Sequence, residues 1–193
     1  MNKKLLSLLV SGSLIAVVST SVFATDTGVV NFNGKIVADT CEINVNESAS
    51  TTGTVTFADT YPADYSGDGS IGTSKDFKIE LIKCDPLVDK LNLTFSGTTT
   101  DAGFLRLENS EAGAGSATNV GITVTNKNGG ANDVKFDGSV PDASTDVDNA
   151  GSITPTIFNY TANVIQVGNN APTAGKYASS ATFKYFIANI HSV

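Results

Sequence analysis

The sequence predicts an all-β protein of sandwich type, and three observations predict it. Apolar residues beyond position 28 alternate with polar ones at a period of two, as they do in strands with one buried face. Clusters of Gly, Asn, Asp and Pro separate these runs at intervals that suit short strands joined by turns. No segment holds a sustained helical period.

The first element is not part of that pattern. Residues 1–24 carry a basic start (Lys3, Lys4), an apolar run over 5–18 and a small-residue exit, Val22-Phe23-Ala24. This is the layout of a secretory signal peptide, with cleavage expected after Ala24. A transmembrane anchor is the rival reading, but the run is short for a bilayer and interrupted by Ser and Gly. The remaining residues suffice for one domain with a real core.

The strand-like runs follow in order: Val30-Asn31-Phe32, Thr54-Val55-Thr56-Phe57, Phe77-Lys78-Ile79-Glu80-Leu81, Leu91-Asn92-Leu93-Thr94-Phe95, Ile122-Thr123-Val124-Thr125 and Val134-Lys135-Phe136. Two longer runs over 157–167 and 181–190 are rich in aromatic and β-branched residues. Turn-forming clusters occupy 61–72, 97–103, 111–118, 126–132, 137–151 and 168–175. Such connections are too long for a tight up-and-down meander, which favours a sandwich. There is no internal repeat and no interdomain linker.

Charge narrows the partners. Without the leader the chain carries 10 basic and 19 acidic residues, a balance of −9, with Arg106 its sole arginine and His191 its sole histidine. Phosphate backbones and anionic head groups repel such a surface, so neither nucleic acid nor direct membrane insertion is expected. Both cysteines, Cys41 and Cys84, fall in the exported part. An oxidising compartment and an even count favour a disulfide between them, closing a loop of 43 residues. The alternative, a catalytic or metal-binding thiol, lacks a CxxC spacing or a nearby histidine.

Three local motifs point to other chemistry and are outweighed. Gly67-Asp68-Gly69-Ser70-Ile71-Gly72 satisfies G-x-G-x-x-G, but that fingerprint requires a following helix and here leads into a strand-like run. The acids Asp137, Asp142, Asp146 and Asp148 lack the spacing of a calcium loop and read as a solvated surface. Sequons stand at Asn46, Asn92 and Asn159, the second inside a predicted strand. No nucleophile–base pair accompanies His191, so the expectation is a protein without catalytic, cofactor-binding or metal-binding residues.

Four stretches together carry a resemblance. Gly28-Val29-Val30-Asn31-Phe32-Asn33-Gly34-Lys35-Ile36-Val37 with Cys41 beyond it, Leu81 and Cys84 followed by Leu91-Asn92-Leu93-Thr94-Phe95-Ser96-Gly97, the segment 112–126, and Gly175-Lys176-Tyr177 with Ala181-Thr182-Phe183 resemble, in the same order, the type 1-like fimbrial major subunits of chaperone/usher pili. The resemblance implies an incomplete immunoglobulin-like sandwich, the pilin fold, which lacks its last strand and is completed by the donor strand of a neighbour. It divides the chain into a signal peptide (1–24), a donor extension (25–36) and a pilin domain (37–193).

On an extended strand Gly28, Val30, Phe32, Gly34 and Ile36 face one way. Pattern alone fits an ordinary first strand packing its own core better. The resemblance instead assigns the donor role to Gly28, Val30, Phe32 and Gly34, and it makes Phe183, Tyr185 and Ile187 the strand that lines the acceptor groove and meets the chaperone. Implied partners are identical or related pilins, a periplasmic fimbrial chaperone and an outer-membrane usher. The implied function is that of a structural fimbrial subunit on the cell surface, with a minor adaptor or tip subunit as the alternative.

Overall fold

The computed structural model describes residues 31–33, 41–130 and 132–188. Contacts divide the chain into two units, 1–36 and 37–193; of the first only residues 31–33 are described, without strand pairing. The predicted signal peptide, the donor positions Gly28, Val30 and Gly34, and His191 lie outside the described residues.

In the second unit nine strands form among the described residues: β1 (Glu42–Val45), β2 (Ile71–Ile82), β3 (Lys90–Gly97), β4 (Leu107–Glu108), β5 (Val120–Asn126), β6 (Asn132–Asp133), β7 (Val147–Asp148), β8 (Thr156–Gln166) and β9 (Ala181–Ile187). One sheet runs β1-β2-β8-β5-β4, with β6 added to β5; the other runs β7-β3-β9. Each ladder between these strands is antiparallel. The all-β fold class expected from the alternation is what forms.

Register follows the apolar positions, because residues directly opposite one another share a face. On the larger sheet Ile79 lies opposite Phe158, and Phe77 opposite Tyr160. On the smaller one Leu91, Leu93 and Phe95 lie opposite Ile187, Tyr185 and Phe183. These two sets form the core between the sheets. Phe95 sits at its centre, meeting Tyr160 edge-on at 5.3 Å and Phe136 edge-on at 6.3 Å between ring centroids, a preferred aromatic geometry.

Three predicted elements differ. The strand read at Phe77 begins six residues earlier, so the supposed turn at 61–72 ends inside β2. Val134-Lys135-Phe136 lies in no strand; Val134 and Phe136 instead donate single backbone bonds to the carbonyls of Val124 and Phe104, both at 2.8 Å. Residues 54–57 form no ladder among the described residues. Alternation there does bury one side, since Val55 and Phe57 pack against the core, but a ladder needs a neighbouring strand at hydrogen-bonding distance and no described segment supplies one.

Long-range ties set the loops. Cys41 and Cys84 are joined in a disulfide, with Cys84 fully buried. Replacing both by serine is expected to lower stability by about 4 kcal/mol, because the 43-residue loop is then free in the unfolded chain. The check is the unfolding free energy extrapolated to water with the m-value fitted separately for each chain, and an unchanged free energy would contradict it.

The glycine-rich segment 67–72 leads into β2 rather than a helix. Asp68 accepts two bonds from the Arg106 guanidinium, at 2.6 and 3.1 Å, and a third from the Gly168 N–H at 2.8 Å. Those donors hold the Asp68 carboxyl below its ordinary pKa, the arginine foremost. Gly72 has to be glycine for space, since a Cβ there would run into the Tyr65 ring.

The four acids of the 137–148 loop likewise have partners. Asp137 accepts the Ser139 N–H and Asp142 the Ser144 N–H, both at 2.8 Å, while Asp148 faces the Lys90 ammonium at 3.5 Å. Asp146 accepts the side-chain amide of Asn92 at 2.5 Å, and the same amide reaches the Thr145 hydroxyl at 3.1 Å. The sequon asparagine is therefore a buried bolt between β3 and this loop.

Candidate functional site

The two sheets do not close along one side. β9 pairs with β3 through seven residues, from Leu91 opposite Ile187 to Gly97 opposite Ala181, and its other edge pairs with no strand among the described residues. The other wall of the opening is segment 51–57, which forms no ladder among the described residues. Between them opens a groove of about 910 Å³, lined by both segments and by residues of the sheet interiors.

What lies at the bottom of this groove decides what it can do. Its lining includes Ile79, Phe95, Phe136, Leu107 and Val124, all buried members of the main core. The groove thus enters the core itself and is not a dimple on a finished surface. Val55, Phe57, Phe77, Tyr177 and Phe183 pack against the same core while staying only half-buried. These side chains have their apolar neighbours on one side and lack them on the other, the loss of contact that makes a void unfavourable.

The chemistry of the walls is correspondingly narrow. The described residues lining it are threonines, serines, alanines, a glycine, aliphatics and aromatics, with no carboxylate, ammonium, guanidinium or imidazole group. Tyr177 carries the one titratable group among them; burial, with Tyr65 and Asp59 nearby, raises its pKa, so the phenol is neutral at physiological pH. What remains is a row of backbone N–H and C=O groups on the β9 edge beside the apolar groove floor. In general an edge of that kind can be extended by an added strand, which bonds to it through its main chain while alternate side chains pack on apolar surface.

The predicted site residues distribute as follows. Phe183 lines the groove. Tyr185 and Ile187 share its face of β9 and pack on the core, but farther along the strand and outside the groove lining. The Tyr185 hydroxyl instead accepts the Cys41 backbone N–H at 3.0 Å, tying the start of the domain to β9 beside the disulfide. Of the predicted donor residues only Phe32 is described, and its side chain is 90% exposed. Tyr177, Leu107 and Phe136 line the groove although sequence reasoning did not single them out for it. Tyr177 had a usable signal, its place just before the last strand; Phe136 had its alternation with Val134, which speaks for burial but not for the groove, and Leu107, in a strand of two residues, had none.

Residues 30–185 match the family described as fimbrial protein. A minor fimbrial subunit of Haemophilus influenzae is 34% identical over 177 residues, covering 89% of this chain and 78% of the relative. A type-1 fimbrial protein, A chain, of Escherichia coli is 30% identical over 178 residues, covering 89% of this chain and 92% of the relative. Among solved structures, a chaperone–usher pilus chain superposes with a TM-score of 0.60 at 23% identity, over 85% of this chain and 97% of its own.

Proposed function

The chain belongs to the fimbrial protein family as a structural pilus subunit, and on that premise we propose that it polymerises by placing residues 25–36 of one copy in the groove of the next. The observation that carries the reading is the core-floored groove beside the free edge of β9. In this reading residues 1–24 direct export, 25–36 are the donor and 37–193 the acceptor domain. Gly28, Val30, Phe32 and Gly34 present one face to the groove. Val30 and Phe32 supply apolar bulk, and the glycines sit where the acceptor's backbone or side chains come close. A periplasmic chaperone occupies the β9 edge until exchange, and an outer-membrane usher passes the growing filament to the cell surface. Donation is a heterologous contact that does not close on itself, so repetition yields a filament. The role is mechanical.

Purification from periplasm with and without a coexpressed fimbrial chaperone tests the proposal. The expected result is a soluble one-to-one complex with the chaperone, and only aggregates, self-polymers or degraded chain without it. Recovery of a stable unassociated monomer in the chaperone-free preparation would overturn it. Copy number in shed filaments separates a rod subunit, which dominates the mass, from a minor adaptor present in traces.

A further inference from the structure

At the pole of the sandwich where the domain begins, two large apolar side chains stand almost entirely in water: Leu87, 90% exposed, and Ile153, 94% exposed. Isolated apolar residues on a surface need no explanation. These two, however, project from loops that the protein ties together with several hydrogen bonds. Asn149 donates its backbone N–H to the Asp89 carbonyl at 2.9 Å and its side-chain amide to the carbonyls of Asp85 and Val88 at 2.8 and 2.9 Å. Its side-chain oxygen accepts the Gly151 N–H and the Thr156 hydroxyl, at 3.1 and 3.2 Å. Leu87 itself is set by its N–H bond to the Asp85 carboxylate at 2.9 Å. The exposure therefore belongs to fixed loops.

We propose that Leu87 and Ile153 form a contact pad against a second copy of this chain, the copy whose groove holds the extension of the first. The inference rests on the donor-strand reading above and adds to it a second, non-strand contact at each junction. Chain length argues for it. Cys41 is anchored to its own domain by the bridge to Cys84 and by its bond to Tyr185. Five residue steps separate Ile36, the end of the donor segment, from Cys41, and at ~3.6 Å per residue they span at most about 18 Å. The neighbour's groove cannot lie farther than that from Cys41, and Leu87, three residues from Cys84, stands within about 11 Å of the Cys84 backbone by the same measure. A copy held so close faces the pad, and burial of both side chains limits rocking about the four-residue connection.

Thiol accessibility of Ile153→Cys, carried on the chain with its disulfide intact, tests this in three states. In the chaperone-bound monomer the thiol is expected to react with a maleimide at the rate of an exposed control, Lys75→Cys. In a chaperone-capped dimer one of the two thiols is expected to slow at least tenfold and the other to stay fast, because only one pole meets a groove-bearing copy. Leu87→Cys is expected to behave the same way. Two fast thiols in the dimer overturn the contact even if filaments protect both, since protection then comes from lateral packing. A slow thiol in the monomer complex also overturns it, by assigning the pad to the chaperone. If the unsubstituted chain forms no dimer at all, the donor-strand reading fails and this inference with it.

Discussion

Replacing Phe32 by aspartate is expected to abolish filament growth while leaving the chaperone-bound subunit intact. The donor face offers few large apolar groups, and Phe32 is the largest of them. Burying its ring contributes roughly 1.5–3 kcal/mol. A carboxylate in its place would enter a groove whose described walls carry no cation, and an unpaired buried charge costs several kcal/mol more unless it is protonated. Together these amount to a loss of at least about 4 kcal/mol at each junction, on the order of a thousandfold in the exchange equilibrium. The measurement is paired: the yield of detergent-resistant multimers and the yield of one-to-one chaperone complex. Multimers should vanish while the complex persists, because in the donor-strand reading Phe32 fills a neighbour's groove and not the core of its own domain. Loss of both species together would mean that Phe32 packs within its own domain. A Phe32→Leu control should retain most assembly, since volume and polarity are nearly kept.

Such an experiment separates two readings that residues alone could not. The alternation of Gly28, Val30 and Phe32 by itself fits a strand packing its own core better, and nothing local distinguishes a side chain that fills its own sandwich from one that fills a neighbour's. The elements that were legible are those whose burial is decided by period: Leu91, Leu93 and Phe95 on β3 and Phe183, Tyr185 and Ile187 on β9 all turn to the face their spacing implies. Where along a groove such a residue falls is set by register and by neighbours distant in sequence. Phe183 consequently lines the opening while Ile187, on the same face, does not.

Segment 54–57 shows the limit from the other direction. Its alternation is strand-like and half of it packs on the core, yet a ladder is a property of two segments, and no second one pairs with it among the described residues. Pairings such as Arg106 with Asp68, 38 residues apart, or Asn92 with Asp146, 54 apart, leave no local trace either. A polar residue in an apolar run, as Asn92 is, gives only a hint that some partner must exist. The short strands β4, β6 and β7, two residues each, fall below any period that could be counted.

If the missing strand is what makes the subunit dependent on others, supplying it in cis is expected to make a stable monomer. β9 ends at Ile187 near the pole where the domain begins, opposite the start of β3. A short Gly/Asn-rich linker after Val193, followed by a second copy of residues 25–36, can turn back and run antiparallel along the free edge of β9. Val30 and Phe32 of the appended segment then enter the groove, and their burial contributes about 3–6 kcal/mol before the ordering of the segment is counted. For a chain of this size about 2–4 °C accompanies each kcal/mol, so a rise in unfolding temperature of roughly 6–24 °C, reduced by the cost of ordering the segment, is expected over the uncomplemented chain. The complemented chain should also be recovered from periplasm without a chaperone and should no longer accept another copy's extension. The same complemented chain with Phe32→Asp in the appended segment alone should lose most of the gain, which assigns the effect to groove filling and not to added length. Equal unfolding temperatures with and without the appended strand would mean that the groove is not an unfinished core.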